Sequence, residues 1–331
     1  MSAAEPWTVG RLLQWTADYL KTRGSDSPRL DAEVLLAHAL GCQRIELYTS
    51  FEDVPADEPR TAFRELVRRR AEGMPVAYLV GAREFYSLSF RVTPDVLIPR
   101  PETELLVVTA LDLARAVGGR KSEVGDQWPL VGGQGEEAGG HRPEGSASSP
   151  AAPHSPSPAP SLAIADVGTG SGILAICLAK HLPNCCVTAT DLSPAALAVA
   201  RENAQTHGVA DRIEFIETDL LAGVPEGRSF DCIVSNPPYI TGVEMDQLPR
   251  DVRDFEPRSA LLAGPRGTEV IERLVPEAAE RLGPGGHLLM EISPTIHDAV
   301  CKLLESDGRF ELGPTIKDLA RLPRVVQARR L

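Results

Sequence analysis

Apolar residues in the first part of the chain recur every three or four positions, which is the spacing of amphipathic helices. The pattern predicts one helix around Leu12 to Leu20, a second around Leu30 to Leu40 and a third over residues 56–72. Gly41 follows the second run and is a typical helix stop. We expect these helices to form a small bundle, and we assign residues 1–80 to it as a separate domain.

Residues 84–98 show the alternation of a β-hairpin, and a helical pattern follows from Thr103 to Val117. We therefore interpret residues 81–117 as a hairpin and a helix that join two domains. The next segment differs from both sides, since 23 of the 44 residues from Gly118 to Ser161 are Gly, Pro or Ser. Such a composition buries too little apolar surface to fold, so we expect residues 118–161 to be a disordered insert.

From residue 162 onward, short apolar runs alternate with helical patterns. Strands are predicted at 163–167, 187–191, 213–218, 230–235 and 287–292, and helices at 172–182, 194–207, 268–282 and 295–306. This alternation is typical of an α/β domain in which helices cover both faces of a mostly parallel sheet. A last apolar run at 324–329 follows no clear crossover helix, so we expect that strand to be antiparallel. Residues 162–331 would form this second domain.

A glycine-rich segment, Asp166-Val-Gly-Thr-Gly-Ser-Gly172, lies between the first of these strands and its helix. Glycine lets the backbone approach a ligand closely, and a helix N-terminus offers free amide donors. The dinucleotide fingerprint G-x-G-x-x-G would require glycine at position 173, where this chain has Ile173. The segment is either a tight structural turn or a ligand loop of another class, formed by Gly168, Thr169, Gly170, Ser171 and Gly172.

Asp191 ends the next predicted strand, 19 positions after Gly172. A carboxylate at this place in a doubly wound fold can accept hydrogen bonds from both ribose hydroxyls of a nucleoside. An aspartate in a surface turn is the alternative. Together, the glycine loop and Asp191 favour a ligand that contains adenosine.

The sequence Ser235-Asn236-Pro237-Pro238-Tyr239 follows the fourth predicted strand. Two prolines cannot continue a central strand, so the backbone must leave the sheet here as a stiff loop in the ligand crevice. A purely structural proline turn is one interpretation. Against that turn, N-P-P-Y resembles the catalytic motif of methyltransferases that act on planar NH2 groups. By this resemblance, the Asn236 side-chain oxygen and the Pro237 carbonyl would accept both N–H groups of the target, with Tyr239 stacked on its flat face. Such acceptors orient the nitrogen and stabilise the positive charge that develops on it.

These motifs, together with residues 73–107, 256–264 and 317–326, resemble the protein-(glutamine-N(5)) methyltransferases of the HemK/PrmC type, which modify peptide chain release factors. The resemblance implies a class I S-adenosylmethionine-dependent methyltransferase fold, Rossmann-like, with a mostly parallel seven-stranded sheet. It also implies that the helices of residues 1–80 bind the release factor. The reaction would be methyl transfer from S-adenosylmethionine to a glutamine side-chain amide.

The same resemblance implies roles for single residues. S-adenosylmethionine would contact the glycine loop and Asp191, with Asp219 and Leu220 near the adenine and Asn236 near the methyl group. The catalytic and substrate-binding residues would be Asn236, Pro237, Pro238 and Tyr239, which would hold the glutamine of the Gly-Gly-Gln tripeptide in a class I release factor.

Arg100 and Glu102 would help to build the wall of the active-site pocket. Two features depart from the family pattern. The family usually reads E-I-G-x-x-Q near the fifth strand, whereas this chain has Glu291-Ile292-Ser293 and then Ile296, so any contact from that glutamine is absent. The Gly/Pro/Ser-rich insert is the second departure.

Composition limits the class of partner. The chain has 34 basic and 46 acidic side chains and a net charge of −12, which opposes binding to nucleic-acid phosphates. A methyltransferase of N(6)-adenine or another nucleic-acid amino group stays open as the alternative, because N-P-P-Y serves that chemistry too. A non-enzymatic cofactor-binding protein is disfavoured by the intact motif.

We expect a cytoplasmic monomer that binds class I release factors, without a metal, a membrane span or a direct nucleic-acid partner. The longest uncharged apolar-rich run, Val167 to Ala179, falls short of the ~20 residues that cross a bilayer. The N-terminus also has no basic start followed by an apolar block, which a secretory signal would need.

Overall fold

The computed structural model describes residues 6–119 and 162–331. The first range begins with five helices: α1 (Val9–Thr22), α2 (Pro28–Leu40), α3 (Glu46–Thr49), α4 (Asp57–Ala71) and α5 (Val76–Val80). The three longest occupy the predicted stretches, and their apolar faces pack together around Leu13, Leu36 and Phe63. The sequence pattern missed α3 and α5, because four or five residues are too few to show a helical period.

A hairpin follows, formed by β1 (Ala82–Phe85) and β2 (Leu88–Arg91) in antiparallel pairing. Tyr86 and Ser87 make its two-residue turn, both with positive φ, as the turns that match strand twist require. The expectation that the strand pattern continues to residue 98 was wrong, because the second strand ends at Arg91.

A short 3-10 turn (Pro101–Thr103) leads into α6 (Glu104–Gly119). The helix extends two residues into the stretch that we predicted to be disordered, 118–161, and the rest of that stretch lies outside the described residues. Although α6 precedes the insert, its Leu106, Val107 and Leu111 belong to the same hydrophobic core as the sheet of the second range.

The second range alternates strands and helices: β3 (Leu162–Val167), α7 (Ile173–His181), β4 (Cys185–Asp191), α8 (Pro194–Thr206), β5 (Ile213–Glu217), β6 (Phe230–Ser235), β7 (Ile240–Thr241), α9 (Gly242–Met245), α10 (Arg250–Phe255), α11 (Arg258–Leu261), β8 (Leu262–Gly264), α12 (Glu269–Arg281), β9 (Leu282–Glu291), α13 (His297–Asp307), β10 (Phe310–Leu312), β11 (Ile316–Lys317) and β12 (Pro323–Arg330). Every predicted strand and helix of this range is present, with end points shifted by at most two residues except for β9, which begins five residues earlier than predicted.

Seven strands form one continuous sheet in the order β10-β12-β9-β6-β3-β4-β5, and the two-residue β11 pairs with β12 beside this path. The five strands from β9 to β5 are parallel. Strand β12 is antiparallel to β9, as predicted for residues 324–329. Helices α6 and α7 pack on one face of the sheet and α12 and α13 on the other, which confirms the predicted layered α/β architecture.

No helix within residues 6–119 or 162–331 combines the length and the apolarity that a bilayer-spanning helix needs.

A buried asparagine joins three parts of the fold. The Asn203 Oδ1 on α8 accepts a hydrogen bond from the Arg91 backbone N–H at 2.8 Å, and its Nδ2 donates to the Arg91 carbonyl at 3.0 Å. The same Nδ2 donates to the carbonyl of Ser171 in the glycine loop at 2.8 Å. Asn203 therefore holds the hairpin and the glycine loop against one helix.

Replacing Asn203 with Ala should lower the free energy of unfolding by about 2–3 kcal/mol, because it leaves buried backbone groups without partners. Urea denaturation would measure the change. Glu202→Ala is the matched control on the same helix, since Glu202 makes only a half-exposed ion pair with Arg91 and should cost no more than about 1 kcal/mol. Equal losses in the two variants would contradict the role assigned to Asn203.

Candidate active site

The candidate site lies where three parallel strands end side by side. Val167 at the end of β3 is paired with Thr190 of β4 and with Ser235 of β6, and the Ser235 Oγ donates a hydrogen bond to the Val167 carbonyl at 2.7 Å. Ligands of open α/β sheets bind in the crevice at such carboxyl ends. The strand order therefore brings together the glycine loop, Asp191 and the N-P-P-Y loop.

A cavity of about 420 Å³ occupies this crevice. Its walls include eight of the nine residues predicted to bind the cofactor: Gly168, Thr169, Gly170, Ser171, Asp191, Asp219, Leu220 and Asn236. Gly172 is the exception, because it faces α8 rather than the cavity. Its φ is +85°, and a Cβ there would lie 3.2 Å from the Ala200 Cβ and 3.0 Å from the Ile176 Cδ1, so glycine allows the loop to pack closely on the helix.

Asp166, in strand β3 just before the glycine loop, fixes the position of that loop through two hydrogen bonds. One of its oxygens, Oδ2, accepts hydrogen bonds from the Thr169 hydroxyl at 2.7 Å and from the Ala175 backbone N–H at 3.0 Å. Its other oxygen, Oδ1, has no partner among the described residues. Because Asp166 is completely buried, its pKa is raised to about 7 despite these two donors, with a smaller contribution from the nearby Asp191.

Asp191 lies at the rim of the loop and is held by backbone amides. Its Oδ2 accepts from the Gly170 N–H at 2.8 Å and its Oδ1 from the Ser193 N–H at 2.9 Å. Burial raises its pKa, although these backbone donors favour the carboxylate. Each carboxylate oxygen can accept more than one hydrogen bond, so both can still receive a ligand hydroxyl from the cavity.

Asp219 and Leu220 line the same cavity beyond β5, and Leu220 has a positive φ of 49°. Asp219 is paired with a residue that the sequence did not suggest, because its Oδ2 accepts from the Arg273 Nη2 at 2.5 Å. Arg273 also lines the cavity. It lies on amphipathic α12, where an arginine is indistinguishable by pattern from a solvated helix face.

A second cavity of about 240 Å³ adjoins the larger one, and the two share Leu97, Arg100, Asn236 and Ala260 as lining residues. Pro237 and Tyr239 line it, whereas Pro238 lines the larger cavity, and the remaining walls are largely apolar, including Leu97, Ile240, Leu248, Val252 and Leu261. Asn236 borders both cavities. The two spaces therefore meet at its side chain.

The Asn236 side chain has a defined orientation at this junction. Its Nδ2 donates a hydrogen bond to the Thr103 Oγ1 at 3.3 Å, so its Oδ1 remains available to accept a bond from a ligand N–H. The Tyr239 hydroxyl donates to the Glu291 Oε1 at 3.4 Å. Burial, and then the charge of Glu291, raise the pKa of Tyr239, so its ring stays neutral near pH 7.

Arg100 lines both cavities, as expected, and its Nη2 donates to the Glu256 Oε1 at 2.5 Å. Glu256 is buried and also accepts from the Ile98 backbone N–H at 3.2 Å, which fixes residues 98–100 against the second range. Burial raises the pKa of Glu256, and Arg100 opposes this. The expectation for Glu102 was wrong, because Glu102 is not among the lining residues of either cavity.

Ile296 stands where the sequence pattern would have glutamine. Its side chain is buried among the apolar residues that cover one face of the sheet, with Ile292 and Val300. No polar contact to a ligand can come from this position.

The chain is similar to known methyltransferases along most of its length. The chain matches the family "PrmC N-terminal domain" over residues 11–81 and the family "Methyltransferase small domain" over residues 154–250. It is 47% identical to a "Release factor glutamine methyltransferase" of Rhodopirellula baltica, covering 98% of this chain and 97% of that protein. A protein of the same description from Koribacter versatilis is 39% identical, with 94% and 95% covered.

Among solved structures, a Thermus thermophilus 16S rRNA N2 G1207 methyltransferase in complex with AdoMet and guanosine is 17% identical. The alignment covers 76% of this chain and 50% of that chain, with a TM-score of 0.46.

Asp166 should make the stability of the protein depend on pH. Between its ordinary pKa of 3.8 and its raised pKa of about 7, the folded chain binds this proton and the unfolded chain releases it. The free energy of unfolding should therefore fall as pH rises, with roughly 1 kcal/mol per pH unit coming from this carboxyl. Urea denaturation of wild type and Asp166→Asn at about pH 5, 6 and 7 would isolate that contribution. Parallel pH curves for the two proteins would contradict it.

Proposed function

The chain belongs to the release factor glutamine methyltransferase family, and from this membership we propose that it methylates the glutamine of a Gly-Gly-Gln tripeptide in class I peptide chain release factors. The protein is an S-adenosylmethionine-dependent methyltransferase that acts on a release factor glutamine. The observation that supports the finer proposal is the meeting of two cavities at Asn236, one polar enough for a nucleoside and one with largely apolar walls.

The residues of the larger cavity fit S-adenosylmethionine. Asp191 presents two carboxylate oxygens, which can accept hydrogen bonds from a pair of ribose hydroxyls. The glycine loop at Gly168 to Ser171 lines the space where backbone groups can contact the methionine part of the cofactor. Asp219 and Leu220 line the part that would take the adenine. When bound, the cofactor supplies an electrophilic methyl group on its sulfonium.

The residues of the smaller cavity suit the side chain of a glutamine. The Asn236 Oδ1 and the Pro237 carbonyl can accept the two N–H groups of the amide, while its methylene groups contact apolar walls such as Leu97 and Leu261. The neutral ring of Tyr239 can stack on the planar amide. Acceptors placed this way orient the nitrogen toward the methyl group and stabilise the positive charge that grows on it during transfer.

We assign release-factor binding to the helices that end at Val80. They form a hydrophobic core of their own, separate from the two cores that cover the sheet. With a net charge of −12, the chain is suited to a protein partner whose exposed loop carries the basic charge needed to contact ribosomal RNA.

The substrate class can be tested directly with labelled S-adenosylmethionine and mass spectrometry. We expect one methyl group on the Gly-Gly-Gln glutamine of a class I release factor and none when that glutamine is replaced. DNA and RNA oligonucleotides should remain unmodified. Efficient methylation of adenine in the oligonucleotides, with the release factor untouched, would overturn the proposed substrate and favour the nucleic-acid alternative.

Two substitutions should separate methyl transfer from cofactor binding. Asn236→Ala removes the acceptor for the amide and should lower kcat by at least about 100-fold, while leaving most of the affinity for S-adenosylmethionine in place. Asp191→Asn removes a charged acceptor from the ribose site and should weaken S-adenosylmethionine binding by about tenfold or more. Calorimetry and turnover measured on both variants would show this crossed pattern. Near wild-type turnover of Asn236→Ala would refute the role of Asn236.

A further inference from the structure

A buried carboxyl lies behind the N-P-P-Y loop, outside the lining of both cavities. Glu291 ends strand β9 and is 2% exposed. Because Met290 pairs with Ser235, Glu291 lies beside the point where the N-P-P-Y loop leaves β6. Its Oε1 accepts the Tyr239 hydroxyl, and its Oε2 has no hydrogen-bond partner of regular geometry among the described residues. A buried carboxyl oxygen without a partner is costly, which points to a purpose other than stability.

Thr103 is close both to this carboxyl and to Asn236. It is 1% exposed, and its Oγ1 accepts the hydrogen bond from the Asn236 Nδ2. No hydrogen bond of regular geometry joins this hydroxyl to Glu291, but the hydroxyl is close enough to the carboxyl to lower its pKa. A hydroxyl has a single proton, so when Thr103 donates it to a carboxylate, its oxygen can only accept. The Asn236 NH2 must then face Thr103, which leaves the Asn236 Oδ1 free to face the smaller cavity.

We propose that Glu291 is a positioning residue for methyl transfer, which as a carboxylate sets the direction of the Thr103 hydroxyl and so turns the Asn236 oxygen toward the substrate amide. The inference rests on the proposed function, because that function requires an acceptor at Asn236. Glu291 touches neither cavity, so it acts only through Thr103 and Tyr239.

The groups around Glu291 give this device a pH dependence. Burial, and then the charge of Glu102, raise the pKa of Glu291, whereas Thr103, Tyr239 and the Arg324 guanidinium of β12 lower it, and the net pKa is about 7. Below this pKa the Glu291 carboxyl is neutral and can donate its own proton to the Thr103 oxygen. The Thr103 hydroxyl can then donate its proton to Asn236, so the Asn236 NH2 no longer has to face it. Turnover by the wild-type protein should therefore rise as pH increases through about 7.

Glu291→Gln tests the proposal, because glutamine has the shape of glutamate but keeps an NH2 donor at every pH. We expect kcat on the release factor to fall about 10- to 100-fold at about pH 8, and the rise near neutral pH to disappear. Affinity for S-adenosylmethionine, measured by calorimetry, should stay at the wild-type value. The variant should be no less stable than wild type at this pH, because it removes an ionised carboxyl from the interior.

Asp307→Asn is the matched control. It makes the same carboxyl-to-amide change in the same part of the chain, at a carboxylate that pairs with Arg309 and lines neither cavity. Its kcat and pH profile should be those of wild type. Thr103→Ser should retain activity because it keeps the hydroxyl, whereas Thr103→Val should lose activity like Glu291→Gln.

The outcomes separate this inference from the proposed function. If wild type methylates the Gly-Gly-Gln glutamine and Glu291→Gln keeps both its kcat and its pH profile, the inference is overturned and the function stands. If wild type modifies no release factor, both are overturned. If Glu291→Gln fails to fold, Thr103→Ser and Thr103→Val provide the test. Equal kcat values for these two variants would overturn the inference.

Discussion

Strand β3 is hydrogen bonded along both edges, to β4 on one side and to β6 on the other, and all three strands run in the same direction. This pairing places the ends of the strands, Val167, Asp191 and Ser235, at one edge of the sheet. A shift of one residue in either register would turn the side chains of a strand to the opposite face. The cofactor loop, the ribose carboxylate and the N-P-P-Y loop depend on this pairing for their proximity.

Polar groups are buried directly beneath that edge, where a fold built only for stability would place apolar ones. Asp166 holds the glycine loop and Glu291 lies behind Tyr239, and burial raises the pKa of each carboxyl to about 7. Each has one oxygen without a partner among the described residues. Such buried carboxyls lower the stability of the fold. They also fix the positions of neighbouring hydrogen-bond donors and acceptors, as is common at functional sites.

The site is completed by a segment from before the insert. Leu97, Arg100 and Thr103 line the larger cavity, and the ion pair of Arg100 with buried Glu256 holds them against the second range. Helix α6 continues this segment into the core of the sheet. The part of the chain that the sequence suggests to be a connection between domains is therefore a wall of the site and a layer of the fold.

Much of this could be predicted from the sequence, because the signals are local. Alternating apolar runs determined where β3 to β6 lie, and the predicted strand at 230–235 coincides with β6. Glycines, a strand-ending aspartate and a pair of prolines marked three loops that the structure brings to one cavity. In each case a few neighbouring residues constrain φ, ψ and backbone hydrogen bonding, so the pattern alone carries the information.

Only the tertiary structure decided which side chains support those loops. Thr103, Glu256, Arg273 and Glu291 are far apart in sequence, and no local pattern assigns any of them its hydrogen-bond partner. Gly172 faces α8 instead of the cavity, and Glu102 lies outside both cavities. These outcomes depend on strand order and on the packing of helices against the sheet. Such long-range contacts leave no periodic trace in the residues that make them.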